Sequence, residues 1–206
     1  GGAFAAAGSM LSGQAERPRH SVLSIILKAA GLPGEYGQAR FMLFLKDRAI
    51  EKEVRAAIEA EGSTAEKEVE DLFVSPLIAD ALRRIDPSLG ATAKDVREAI
   101  KAQFRSPDID LTKDQFTDTV RRTLKLQSRN GRLPLTLLVL DEVQIYIGDS
   151  QDRAGAMAEI AETFAKEFES KVMLVGAGQS ALTSVPQLIR LLDRFTIRVQ
   201  LDDADV

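Results

Sequence analysis

The sequence predicts an α/β protein in which parallel strands joined by helices follow a long all-helical region. Three observations carry this. Residues 135–140 (Leu-Thr-Leu-Leu-Val-Leu) are a short apolar run between the turn-prone Gly131-Arg132-Leu133-Pro134 and the carboxylates Asp141 and Glu142. That is short for a helix and right for a parallel strand buried on both faces. Strand patterns recur at 172–175 (Val-Met-Leu-Val) and 196–201 (Thr-Ile-Arg-Val-Gln-Leu), each separated from the last by a helical pattern. Strand, helix, strand, helix, strand at this spacing implies a parallel sheet with right-handed crossovers. Upstream of Gly131 the apolar period is helical almost throughout, which divides the chain into a helical region over 1–130 and a strand-bearing region over 131–206.

Taken in order, 1–13 is rich in Gly and Ala and reads as a short, loosely specified helix. Val22, Ile25, Ile26 and Ala29 form one stripe, closed by Gly31 and Pro33. Phe41, Leu45, Val54, Ala57 and Ile58 continue the helical period to Gly62, with both charge signs on the outer face of 46–61. Val69, Leu72 and Phe73 follow Thr64, and Pro76 restarts the helix that carries Ile78, Ala81, Leu82 and Ile85. Thr92-Ala-Lys-Asp95 and Thr112-Lys-Asp-Gln115 are capping-box patterns that open two further helices, the second carrying Phe116, Val120 and Leu124. Phe41, Phe44, Phe73, Phe104 and Phe116 sit at helical spacing among aliphatics, so they read as core rather than as base-stacking residues. Beyond Gly148, Met157, Ile160, Ala161, Phe164 and Phe168 give an amphipathic helix over 149–170, and Pro186 opens a short helix over 187–192.

Composition excludes several function classes. The 206 residues hold no cysteine and one histidine, His20, so there is no disulfide scaffold and no thiolate or histidine-rich metal centre. A formal net charge of -4 argues against a whole-surface nucleic-acid clamp, though local basic pairs such as Arg83-Arg84 and Arg121-Arg122 remain. No apolar run reaches membrane-spanning length, and no signal pattern opens the chain, so the expected compartment is the reducing cytoplasm, with no membrane partner.

The chemistry-bearing residues cluster after the strands. Asp141 and Glu142 end the first apolar run, Gln179 and Ser180 leave the second, and Asp193-Arg194-Phe195 immediately precedes the third. An apolar strand ending in Asp-Glu is the Walker B pattern of P-loop nucleotidases. There the Asp holds Mg²⁺, usually through water, and the Glu orients or deprotonates the attacking water. Each residue also has a plainer role: Asp141 and Glu142 as a solvated strand rim, Gln179 as a turn-satisfying amide, Arg194 as a surface partner of Asp193 or Asp202, with Arg198 able to replace it.

The ordered set resembles the second half of an AAA+-type ATPase core. The resemblance implies catalytic roles for Glu142, for Gln179 as the sensor 1 residue that positions lytic water, and for Arg194 as an arginine finger reaching a neighbouring subunit. It implies nucleotide contacts from Asp141, Glu142, Gln179 and Ser180, and metal binding by Asp141. Residues 137–149 (Leu-Leu-Val-Leu-Asp-Glu-Val-Gln-Ile-Tyr-Ile-Gly-Asp), 175–182 (Val-Gly-Ala-Gly-Gln-Ser-Ala-Leu) and 192–201 (Leu-Asp-Arg-Phe-Thr-Ile-Arg-Val-Gln-Leu) resemble the large P-loop ATPases of bacterial BREX phage-defence systems, the BrxC/PglY group. That likeness implies an internal piece of a long multidomain protein, with ATP and Mg²⁺ as cofactors and with self-association and other defence components as partners. A Walker A loop needs G-x-x-x-x-G-K-[ST], and neither 1–13 nor Gly31-Leu-Pro-Gly-Glu-Tyr-Gly37 contains Gly-Lys-Ser/Thr. The resemblance therefore places that loop upstream of Gly1, and the fragment alone is expected to be inactive. Two rival functions stay open: a non-catalytic nucleotidase-like scaffold that binds a protein partner, and a helical module that contacts DNA through Arg17, Arg19, Arg83 and Arg84.

Overall fold

The computed structural model describes residues 2–12, 17–128, 130–178 and 197, and they form a mixed α/β structure with a small parallel sheet. The strands are β1 (Ala3–Ser9), β2 (Leu135–Asp141) and β3 (Val172–Gly176), in the order β1-β2-β3. Pairing is parallel throughout, with register from Ala3↔Leu135 to Ser9↔Asp141 on one side of β2 and from Thr136↔Val172 to Leu140↔Gly176 on the other. The expected strand over 196–201 and helix over 187–192 lie outside the described residues, as do Gln179, Ser180 and Arg194.

β1 corrects the helix expected over the Gly/Ala-rich start of the chain. Alanine has no helical partner stripe there, and glycine weakens a helix by about 1 kcal/mol per residue. Strand propensities span only about 1 kcal/mol and yield to context, and here β2 offers a full edge of backbone partners. The small side chains have a use in this position. A Cβ on Gly8 would stand 3.0 Å from Ile25 Cγ1, so Gly8 lets the following helix press against the sheet.

Two compact units divide the chain, Gly1–Gly31 with Ile109–Val206, and Leu32–Asp108. In the first, α1 (Pro18–Ala29), α7 (Lys113–Leu126) and α9 (Gln151–Glu167) pack together against the sheet. Their apolar stripes are those read from the sequence: Val22, Ile25 and Ile26 from α1, Phe116, Val120 and Leu124 from α7, Met157, Ile160 and Phe164 from α9, all buried. Phe116 and Phe164 meet edge to face at 5.6 Å, and Phe168 lies 5.5 Å from Phe164. Both capping boxes form, at Thr92/Asp95 and Thr112/Gln115. The second unit holds α2 (Tyr36–Asp47), α3 (Glu51–Ala60), α4 (Ala65–Glu70), α5 (Pro76–Ile85) and α6 (Ala93–Phe104). Phe41 and Phe104 are buried there and meet edge to face at 5.5 Å, while Phe44 and Phe73 are half-buried. The helical period expected to run through 46–61 is broken by Ala49, whose φ of 55° ends α2 before α3 begins.

Among the described residues the sheet is buried on one face only, unlike the burial on both faces expected for β2. Ala6, Thr136, Leu138 and Leu140 are buried beneath the helices, whereas Leu135 is 62% and Met173 59% exposed. Topology explains this. Both crossovers advance the same way across the sheet, from β1 to β2 and from β2 to β3, and right-handed connections then put α1, α7 and α9 on the same side. The opposite face, with Ala3, Ala5, Ala7, Leu135, Leu137, Met173 and Val175, is apolar and uncovered among the described residues.

α1 takes its N-terminal cap from a distance. Arg17 supplies no side-chain cap; instead the Asp110 carboxylate accepts from the N–H groups of Arg19 at 3.1 Å and His20 at 3.2 Å. Arg19 lies 3.6 Å from the same carboxylate and His20 Nδ1 3.0 Å from it. Burial opposes ionisation of Asp110, but hydrogen bonds from the His20 side chain and from the N–H groups of Arg19, His20 and Leu111 together hold its carboxyl below the usual range. A depressed folded-state pKa means stability that is fully present above the unfolded value of about 4 and lost as pH falls through the folded value. Asp110→Ala is expected to cost about 1–2 kcal/mol at neutral pH and to flatten the acid limb of a stability-against-pH curve, measured by urea denaturation.

Candidate active site at the carboxyl end of the sheet

All three strands point their carboxyl ends at one edge, the place where open α/β sheets bind ligands. β2 is the central strand, and it delivers Asp141 and Glu142 there. Asp141 is exposed, and its Oδ1 accepts from the Glu142 N–H at 2.8 Å. Glu142 lies in the left-handed region at φ 58°, ψ 29°, and begins the short helix α8 (Val143–Ile147). A non-glycine residue held there costs on the order of 1 kcal/mol, which the Asp141 acceptor and the start of α8 help to offset. The strain turns the chain sharply, so that consecutive carboxylates both stay at the sheet edge rather than alternating across it.

Ser9 completes the pair. It ends β1 directly opposite Asp141, and its hydroxyl donates to Glu142 Oε2. The Leu11 N–H donates in turn to Ser9 Oγ at 3.0 Å, which occupies a lone pair and directs the single hydroxyl proton to Glu142. The strand assignment of 3–9 is what brings Ser9 here, so a helical reading of that stretch hides it.

On the other side of β2, the chain leaving β3 is stitched to the start of α8. The Ala177 N–H donates to the Leu140 carbonyl at 2.8 Å, and the Val143 N–H to the Ala177 carbonyl at 3.3 Å. Gln144 is 6% exposed, and its Oε1 has no hydrogen-bond partner among the described residues. Leaving such an acceptor buried and unpaired costs about 1–3 kcal/mol. Tyr146 is buried beneath Arg153, whose guanidinium lies 5.6 Å from the ring centroid and donates to the Tyr146 carbonyl at 3.0 Å.

Of the expected site residues, Asp141 and Glu142 are brought together with Ser9; Gln179, Ser180 and Arg194 lie outside the described residues. No group of three or more His, Cys, Asp or Glu side chains able to hold a metal occurs among the described residues. Two carboxylates and a hydroxyl do fit Mg²⁺, which takes hard oxygen donors and commonly binds through one or two carboxylates, with water and phosphate completing its shell. They do not fit a cation that needs a full protein cage.

Three of the basic residues named for nucleic acid, Arg19, Arg121 and Arg83, have partners within the chain. Arg19 pairs with Glu159 at 2.7 Å and with Asp110, Arg121 donates to the Glu167 carbonyl at 2.7 Å and lies over Phe168, and Arg83 pairs with Asp80 at 3.8 Å. No helix among the described residues is long and apolar enough to cross a membrane. Comparison of the chain with protein-family models, curated proteins and solved structures finds no match.

Proposed function

We propose that this chain supplies the metal- and water-handling half of a Mg²⁺-dependent ATP hydrolase of the P-loop, AAA+-like kind, working within a phage-defence assembly of the BREX type. The observation that carries the reading is the acidic pair at the carboxyl end of the central strand, flanked by a hydroxyl from β1 and a Gly-rich exit from β3. Asp141 would hold the metal, which neutralises charge developing on the phosphates. Glu142 accepts a proton from, or orients, the attacking water, and Ser9 fixes the direction of its carboxylate. Gln179 and Ser180 follow β3 in sequence and would line the other side of the reacting phosphate, with Arg194 completing the site of a neighbouring copy.

Sheet topology supports the reading independently. In an AAA+ core the strand before Walker A lies beside the sensor 1 strand, the place of β3 here. Among the described residues β3 pairs with β2 alone, so no described strand takes that place. A strand seated there and leading onward to β1 would cross the sheet in the direction opposite to the two crossovers present. A right-handed connection would then lay its helix on the bare face of Leu135, Leu137 and Met173. One strand–loop–helix unit bearing the phosphate loop would thus fill both that place and the bare face.

The test is Mg²⁺-dependent phosphate release by the protein extended through the loop expected upstream of Gly1. Asp141→Asn is expected to weaken Mg²⁺-dependent nucleotide binding roughly 10–100-fold, the scale of one charged contact of about 1.5–3 kcal/mol. Unchanged metal dependence in that variant favours the scaffold reading instead.

A further inference from the structure

Gln144 places an amide where an apolar side chain would fill the same space without an unpaired acceptor. It is the second residue of α8, 6% exposed, and its Oε1 lacks a donor among the described residues. Burying such a group unpaired is unfavourable, and methionine has a similar shape without the oxygen. The amide lies against Gly178: a Cβ at that position would stand 2.3 Å from Oε1 and 2.8 Å from Cδ. Any side chain at 178 must therefore displace the Gln144 amide. Two backbone hydrogen bonds adjoin this contact, Ala177 to Leu140 and Val143 to Ala177. The chain leaving β2 and the chain leaving β3 thus touch at three points, beginning at Leu140, the penultimate residue of β2, and ending two residues past Glu142.

We propose that Gln144 is a positioning residue: its amide, seated against Gly178, fixes how far the chain leaving β3 stands from Asp141 and Glu142, so that the two strand ends act as one wall of the site. The contact stands on geometry alone; its effect on turnover rests on the ATPase reading above.

The lock is tested first by amide exchange at Val143 and Ala177 in the 206-residue chain. Gly178→Ala is expected to speed exchange at both amides by about tenfold, and adding Gln144→Ala, which makes room for the new methyl, to bring it back to within about threefold of the parent. Exchange unchanged in Gly178→Ala, or no slower in the double variant, overturns the lock. The second test is Gln144→Met in the form that hydrolyses ATP. Relief of the unpaired acceptor should raise Tm by about 2–4 °C, while kcat falls about tenfold or more and KM for Mg·ATP stays within about twofold. A parental kcat in Gln144→Met overturns the positioning role, since a merely structural residue would move Tm alone. Glu142→Gln in the same assay separates the two claims: parental turnover there removes the ATPase reading, while the exchange data still decide the lock.

Discussion

Glu142→Gln is expected to keep Mg·ATP binding and lose turnover by about 10²–10⁴-fold, the range a positioned general base supplies. The substitution keeps the shape of the side chain and its acceptor oxygen, so the Ser9 hydroxyl still has a partner and the left-handed turn at residue 142 need not move. What disappears is the negative charge that draws and aligns a water. Ser9→Ala is the informative companion. It leaves the carboxylate charged but no longer held toward β1, so turnover should change far less than in Glu142→Gln. Binding assayed by nucleotide-dependent protection and turnover assayed by phosphate release separate these outcomes. If Glu142→Gln and Asp141→Asn both hydrolyse ATP at the parental rate, the acidic pair is only a strand terminus.

Arg194→Ala is expected to spare nucleotide binding and to cut turnover by about 10³-fold or more, the range that arginine fingers supply in phosphoryl transfer. A finger stabilises charge that develops only in the transition state, so its loss falls on kcat rather than on affinity. Because it acts across a subunit boundary, activity should rise with protein concentration. Mixing Arg194→Ala subunits with Glu142→Gln subunits should restore part of the turnover, since some interfaces then pair an intact carboxylate with an intact guanidinium. No recovery on mixing, together with an Arg194 locked in an internal salt bridge, moves the role to Arg198 or removes it.

Much of the fold is legible in the sequence because local physics decides it. Thr92 and Thr112 sit three residues before Asp95 and Gln115, and both boxes close as that spacing requires. The run ending at Asp141 is strand because nothing in it can present a polar helical face. β1 was not legible in this way. Ala3, Ala5 and Ala7 carry no alternation against Phe4 and Ala6 strong enough to signal a strand, and what makes them one is the edge of β2, more than a hundred residues away. With β1 went Ser9, the hydroxyl that holds Glu142. The bare sheet face was hidden for a related reason: the apolarity of Leu135, Leu137 and Met173 is local, but which face the helices cover follows from the order in which strands enter the sheet. The break at Ala49 is a third case, since a left-handed alanine between two helical stripes leaves the apolar period of each intact.

The most direct test of the carboxyl edge as a metal site is paramagnetic broadening of backbone NMR signals by Mn²⁺ used in place of Mg²⁺. With Asp141 and Glu142 as the metal-holding pair, signals from Ser9, Asp141, Val143 and Gly176–Gly178 should broaden first, at Mn²⁺ concentrations that leave α3 and α4 sharp, and Asp141→Asn should abolish the preference. Broadening centred on the glutamate-rich surfaces of α3 and α4, or unaffected by Asp141→Asn, would contradict a metal site at this sheet edge.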